Sequence, residues 1–388
     1  MSEGAEEAER ERRARNHAID GLRGIAALSV FVFHAWLYTL PVVSAAGAER
    51  TPATDLIREL RLGLVLFFVL SGFLLYRAWA SAGLGRRSAP DGATYAVHRI
   101  GRIIPAYWLA IVGSIALLYP IAGSPGVRLP PPELLPLFFV FAQNFSPQTL
   151  LKLDPPMWTL AVEACFYVLL PLFGWLALRG RAGAGAQLAV PAGLLALGVA
   201  FNAGLVVFDP GDLRWSKSLP AMLPYFAVGM GAAVLVAGRR PSAGQARVLT
   251  AAALLLVAAN VALQVAAGRG AEIVDFLRVI RDLPAALGFA MLICLAATCA
   301  PRPLAWKPLA WCGLVSYGLY LWHVPVLLVL RAAGLLPLDV VGATLVGLPV
   351  SLLAGWLSFR FVEAPAIAWS RRTALWGANL RNSAGRSA

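Results

Sequence analysis

The chain has 388 residues, 59% of them hydrophobic and 14% charged, with a formal net charge of +13 and a mean hydropathy of +0.71. That balance lies outside the range of soluble globular domains and marks a polytopic membrane protein. The excess of positive charge needs no nucleic-acid partner, because Lys and Arg collect in the cytoplasmic loops of such proteins.

Stretches of about 20 apolar residues are long enough to cross a hydrocarbon core of ~30 Å. Ten read out in chain order: 19–41, 61–81, 102–122, 157–178, 186–208, 219–237, 248–267, 281–300, 311–330 and 340–362. The expected fold class is therefore an all-α integral membrane protein of about ten transmembrane helices with both termini cytoplasmic. Residues 19–365 read as one transmembrane domain between a disordered cytoplasmic tail, 1–18, and a cytoplasmic tail, 366–388, disordered after Trp376. A further apolar run, 134–145, is short and follows Pro130, Pro131 and Pro132, so an interfacial or re-entrant piece is expected there. With this count roughly two thirds of the basic residues fall on the cytoplasmic side. The polar leader is followed by no small-residue cleavage site, so the first span should stay in the mature protein. Cys165, Cys294, Cys299 and Cys312 make neither a CxxC nor a Cys/His spacing, so neither a disulfide framework nor a metal site is expected. The halves show no internal repeat, and the Pro-rich loop 123–156 is placed to act as a lid or a substrate contact.

In the first span, Arg23 stands at the edge of an apolar stretch and His34 inside it. An ionisable group is costly within a bilayer and marks chemistry or transport. An imidazole suits proton transfer near neutrality, which makes His34 a candidate general base. Asp20 reads as the N-cap of that span. In the second span, Ser71-Gly72-Phe73 supplies a hydroxyl and a small residue for close helix approach. In His98-Arg99-Ile100-Gly101-Arg102 the two arginines are three apart and share a helix face. With Arg23 and Arg77 they can form a phosphate clamp for a nucleotide such as coenzyme A or for a lipid headgroup, or simply snorkel to the interface. Glu163, six residues into the fourth span, is expected level with His34 as the carboxylate that orients it. In the ninth span, Ser316-Tyr317-Gly318-Leu319-Tyr320-Leu321-Trp322-His323 gives a polar face that either lines a cavity or belongs to an aromatic belt. No GxSxG, Walker, HExxH or dinucleotide motif is present. The residues alone fit an enzyme built on His34, a proton-coupled transporter or flippase of an anionic solute or lipid, or a non-catalytic scaffold.

The blocks Ile19-Asp20-Gly21-Leu22-Arg23-Gly24 with His34, Phe68-Val69-Leu70-Ser71-Gly72-Phe73, Arg99-x-x-Arg102, Trp158-Thr159-Leu160-Ala161-Val162-Glu163, Ser316 to His323, and Phe361-Val362-Glu363-Ala364-Pro365 occur in this order. Together they resemble acyltransferase family 3 of the membrane O-acyltransferases. The resemblance implies transfer of an acyl group, most often acetyl, from cytoplasmic acyl-CoA to a hydroxyl of a surface polysaccharide, glycolipid or macrolide. It implies His34 as general base or transient acyl carrier with Glu163 beside it, and Arg23, Arg77, Arg99 and Arg102 as donor-binding residues. Ser71, Trp158, Tyr320 and His323 are the expected acceptor contacts. The setting implied is a multi-pass protein of the plasma membrane among lipids, with no metal. Many members carry a fused C-terminal SGNH domain that this chain lacks, which leaves either a separate extracytoplasmic SGNH-type partner or a chain that acts alone.

Overall fold

A computed structural model describes residues 3–41, 43–44, 48–180, 183–209, 211–236, 240–270 and 273–384, with side chains from 13 to 374 among them. The described residues are helical, with short 3-10 and π turns and no strand. In chain order the helices are α1 (Glu3–Leu37), α2 (Pro52–Glu59), α3 (Leu62–Gly83), α4 (Gly92–Leu118), α5 (Pro136–Phe139), α6 (Met157–Arg179), α7 (Ala184–Phe208) and α8 (Leu213–Ser216). They continue as α9 (Leu219–Val236), α10 (Ala243–Gly268), α11 (Val274–Ile280), α12 (Leu283–Cys299), α13 (Lys307–Leu314), α14 (Ser316–Ala332), α15 (Val340–Ser358) and α16 (Ala364–Ala384).

Among the described residues, 9 helical stretches are long and apolar enough to cross a membrane, and a tenth forms if α13 and α14, bent by 72° at Val315, count as one broken span. Most expected spans coincide with these elements to within about five residues; α1 and α4 start well before the expected 19 and 102. Residues 134–145 break into two 3-10 turns around α5, too short to span. Helical backbone reaches into both tails. Helix α1 starts at Glu3, because the Ala-, Glu- and Arg-rich leader has high helix propensity and extends a helix the span has already nucleated. Asp20 is consequently mid-helix and caps nothing; it pairs instead with Arg23 at 3.6 Å. At the other end α16 runs to Ala384, and the outermost tail residues, 1–2 and 385–388, lie outside the described residues.

Helix α9 is the central post, buried almost all round. It crosses α3 where Gly72 faces the Phe226 carbonyl and Gly229 faces the Val69 carbonyl. An added Cβ would stand 2.2 and 2.1 Å from those oxygens, so only glycine permits the contact. Helix α10, at the periphery, exposes Val248, Leu254 and Leu255. An apolar face of that extent is a liability in water and the ordinary state against lipid tails.

The loop 123–156 is a packed cover and not a loose flap. Gln143 donates to the Tyr107 hydroxyl and the Met157 carbonyl, and Asn144 donates to the carbonyls of Trp158 and Lys217. Phe141, Leu151 and Leu153 hold left-handed backbone, with φ of 58°, 57° and 59°. That strain persists only where surrounding contacts enforce it.

Candidate functional site

Helix α1 ends just past His34, and Arg331 of α14 caps that end by donating to the carbonyls of Tyr38 and Leu40. His34 Nδ1 lies 2.9 Å from the Val30 carbonyl and 3.2 Å from His323 Nε2. His323 Nδ1 in turn lies 2.8 Å from the Tyr320 carbonyl. Carbonyls only accept, so each neutral ring carries its proton on Nδ1. His323 Nε2 then accepts from His34 Nδ1–H, and His34 Nε2 keeps its lone pair. His34 lines a cavity, and Nε2 is its one ring nitrogen with no hydrogen bond among the described residues. His323, expected as an acceptor contact, is 1% exposed, stands behind His34 and is in the wall of neither this cavity nor the one around Glu163.

Glu163 does not face His34. Its Oε1 accepts from the Ser71 hydroxyl at 2.8 Å and its Oε2 from the Tyr167 hydroxyl at 2.6 Å. The expected equal depth fails because α1 ends at Leu37 and not at 41. At ~1.5 Å per residue, His34 is only about 5 Å below that end, whereas Glu163 is about 9 Å into α6. The Ser71 hydroxyl is engaged by this carboxylate rather than standing free for an acceptor.

Glu163 belongs to a cavity of about 90 Å³ that also has Arg23, Arg102, Ser71, Tyr167, Ser316 and Tyr317 in its wall. Arg23 is tied to Asp20, whereas Arg102 makes no ion pair among the described residues. The bend at Val315 restarts the chain as α14, no side chain caps its first turn, and Ser316 and Tyr317 of that turn line the same space. A guanidinium beside a helix N-terminus is a ready anion site. Arg99, one turn from Arg102, lies over the Tyr95 ring with its Nε buried and unpartnered, outside the cavity wall. Arg77 is exposed, over the Phe73 ring with Arg15 and Arg87 as its charged neighbours, and stands apart from this cluster. The expected four-arginine clamp therefore reduces to Arg23 and Arg102, with Arg99 at its margin. Glu363, at the end of a π turn and beside Ser358, adds a second buried carboxylate near Arg102 that the sequence reading left without a role.

The cavity on the His34 side is larger, about 350 Å³, and has Trp158, Lys217, Tyr225, Arg281 and Arg128 in its wall. The two cavities share Leu64, Thr159 and Tyr320, so these residues form the partition between them. Thr159 and Tyr320 hydroxyls meet at 2.7 Å, both also reach the Pro156 carbonyl, and Phe67 packs edge-on against the Tyr320 ring. Trp158 and Tyr320, two of the expected acceptor contacts, both line the larger cavity. Behind the wall, in the loop before α6, Asp154 is 1% exposed with neither carboxylate oxygen bonded. Burial holds its carboxyl well above the usual range.

Residues 16–360 match the family model described as an acyltransferase domain, type 3. A protein of Bacillus subtilis (strain 168) carrying the provisional name peptidoglycan O-acetyltransferase YrhL is 27% identical over 382 residues, covering 89% of this chain and 54% of that protein. Acyltransferase MdmB of Streptomyces mycarofaciens is 26% identical over 167 residues, covering 42% of this chain and 40% of its own. The chain thus spans about half, or less, of the length of these relatives. No solved structure matches it.

Proposed function

This chain belongs to the acyltransferase 3 family, and from that premise we propose that it is a multi-pass membrane O-acyltransferase that moves an acyl group from acyl-CoA to a hydroxyl of a carbohydrate or glycosylated acceptor. The observation that carries the reading is the pair of cavities divided by Thr159 and Tyr320. An anion site lies on one side of the partition, and a single basic imidazole nitrogen lies on the other. Acetyl is the first acyl group to test, given the O-acetyltransferase name of the Bacillus relative, and that name makes peptidoglycan saccharides the first acceptors.

Acyl-CoA would supply an activated thioester carbonyl. Arg102, Arg23 and the uncapped start of α14 suit one of its anionic groups, and Arg99 extends the basic surface beyond the cavity wall. The excess of basic residues in the loops on this side supports a cytoplasmic orientation for it. On the far side of the partition His34 Nε2 takes the proton of the acceptor hydroxyl as that oxygen bonds to the acyl carbon and the C–S bond breaks. The same nitrogen returns the proton to the leaving sulfur. His323 fixes the tautomer that makes this possible, and the bond from His34 Nδ1 strengthens as the ring becomes positive. Glu163, held by Ser71 and Tyr167, balances the arginine side electrostatically and takes no proton from the acceptor.

The test is incubation of the purified chain with labelled acetyl-CoA and a panel of N-acetylhexosamine glycosides. Acetyl ester on the glycoside together with stoichiometric free CoA is expected, and its loss in His34→Ala. Solute uptake into vesicles without ester formation would instead establish a transporter.

A further inference from the structure

The cavity on the His34 side carries more positive charge than a neutral sugar requires. Arg61 is accounted for, because it holds Asp282 through two bonds of 2.6 and 3.0 Å and also reaches Glu59. Three further cations line the cavity: Arg128, Lys217 and Arg281. Arg128 donates to the Val43 carbonyl, and Arg281 donates to the Ser216 carbonyl at 2.9 Å. The Lys217 ammonium sits 4.2 Å from the centre of the Trp158 ring. None of the three forms an ion pair among the described residues. Arg281 and Lys217 are neighbours, since Arg281 reaches the carbonyl of the residue just before Lys217.

Both are held in place by their surroundings. Asn144 pins the Lys217 carbonyl, the Trp158 ring supports its stem and head, and Arg281 has the left-handed backbone of φ 52°, a conformation tolerated where neighbouring contacts impose it. Unpaired charges in a partly desolvated cavity create a strong local field that an anion relieves.

We propose, on the acyltransferase reading above, that the acceptor carries an anionic group, a carboxylate or a phosphate, which Lys217 and Arg281 bind while His34 takes the proton from a neighbouring hydroxyl. The anion fixes which hydroxyl is acylated, because the two cations and His34 line one cavity and admit one orientation. Two sources share this chemistry. A carboxylate on the sugar itself fits within the cavity. A phosphate that links the sugar to a lipid would use a second, apolar cavity of about 340 Å³, which Lys217 also borders and which opens past Phe145 and Trp215.

The experiment measures binding of three probes to the purified full chain in detergent. The probes are the methyl glycoside of N-acetylglucosamine, the methyl glycoside of N-acetylmuramic acid, which adds a lactyl carboxylate, and dodecyl N-acetylglucosamine 1-phosphate. At least one anionic probe is expected to bind about tenfold or more tighter than the neutral one, the size of a charge-assisted hydrogen bond. Which of the two wins identifies the source. The preference is expected to collapse in Lys217→Gln/Arg281→Gln, to survive in Lys217→Arg, and to shrink with added salt, with coenzyme A binding unchanged throughout as the check on folding. Equal binding of all three probes to the wild type overturns the proposal, as does an unchanged preference in the double variant or a selective loss of coenzyme A binding there. Ester formation on the neutral glycoside without anionic preference sinks this inference alone. Tight anionic binding with no ester on any probe sinks the acyltransferase reading and leaves the anion site standing.

Discussion

The two cavities that meet at Thr159 and Tyr320 are both basic, yet they dispose their charge in different ways. On the arginine side, Arg23 is held by Asp20 and Glu163 sits among hydrogen-bond donors, so Arg102 and the start of α14 carry the unspent charge in a space of about 90 Å³. On the histidine side the space is about 350 Å³, and its basic nitrogen is neutral by construction, with the formal charges set apart on Lys217, Arg281 and Arg128. The difference teaches that a charged residue near the bilayer core does not declare its task by type. Its partners decide whether it grips an anion, balances another charge or moves a proton.

The sharpest way to break the comparison is to remove the base. His34→Ala is expected to lower the rate of ester formation by about 10²–10⁴-fold, the usual contribution of a general base, with no change in donor affinity. Next comes the ring behind it. His323→Ala should lower kcat by about tenfold or more while the KM for donor stays put, since groups that orient an imidazole have effects of that order. His323→Gln, which can still accept from Nδ1–H, should recover part of the loss; a merely structural role would show no such rescue.

On the other side, Arg102→Gln should raise the donor KM roughly tenfold by loss of a charge-assisted bond and leave kcat at saturating donor nearly unchanged. A fall in kcat alone would mean that the arginine side takes part in the chemistry.

The partition itself is probed by Tyr320→Phe. Removing one neutral buried hydroxyl contact with Thr159 should cost about 1 kcal/mol of stability in thermal or denaturant unfolding. The smallest effect concerns Asp154. Its folded carboxyl titrates above its unfolded value, so the folded state holds the proton longer, and stability falls as pH rises from about 4 until the folded group has ionised. Asp154→Asn should flatten that fall and match or exceed the wild type in thermal stability at neutral pH. A less stable variant there would show that the carboxylate is ionised and partnered.

Much of this architecture was legible in the chain. Length and hydropathy located the spans because lipid admits little besides helices across its core, and the one broken span, at Val315, interrupts an apolar run whose outline it does not change. The site was legible only in part. Arg23, Arg102 and His34 were singled out from cost and spacing, Tyr320 from the polar face of its span and Trp158 only through the family resemblance, while the group expected beside His34 was Glu163 and the ring found there is His323. Depth along a helix depends on where the helix ends, and α1 stops four residues short of the apolar stretch that defined its span. His323 lies 289 positions from His34, and only the packing of α1 against α14 brings their rings together. Lys217 and Arg281 were not singled out. They sit at the junctions before α9 and α12, and nothing local in their sequence shows that these junctions close over one cavity. The one available hint was that Lys217 is among only 3 lysines in the chain.

The central claim is that donor binding and chemistry are divided between the two cavities. Equilibrium binding of labelled acetyl-CoA to His34→Ala and to Arg23→Gln/Arg102→Gln, measured beside single-turnover ester formation in both, tests it most directly. Wild-type donor affinity without ester formation is expected in the first variant. In the second, weakened affinity is expected, with ester formation restored at high donor concentration. Loss of donor binding in His34→Ala, or intact binding with abolished chemistry in the double arginine variant, would contradict it.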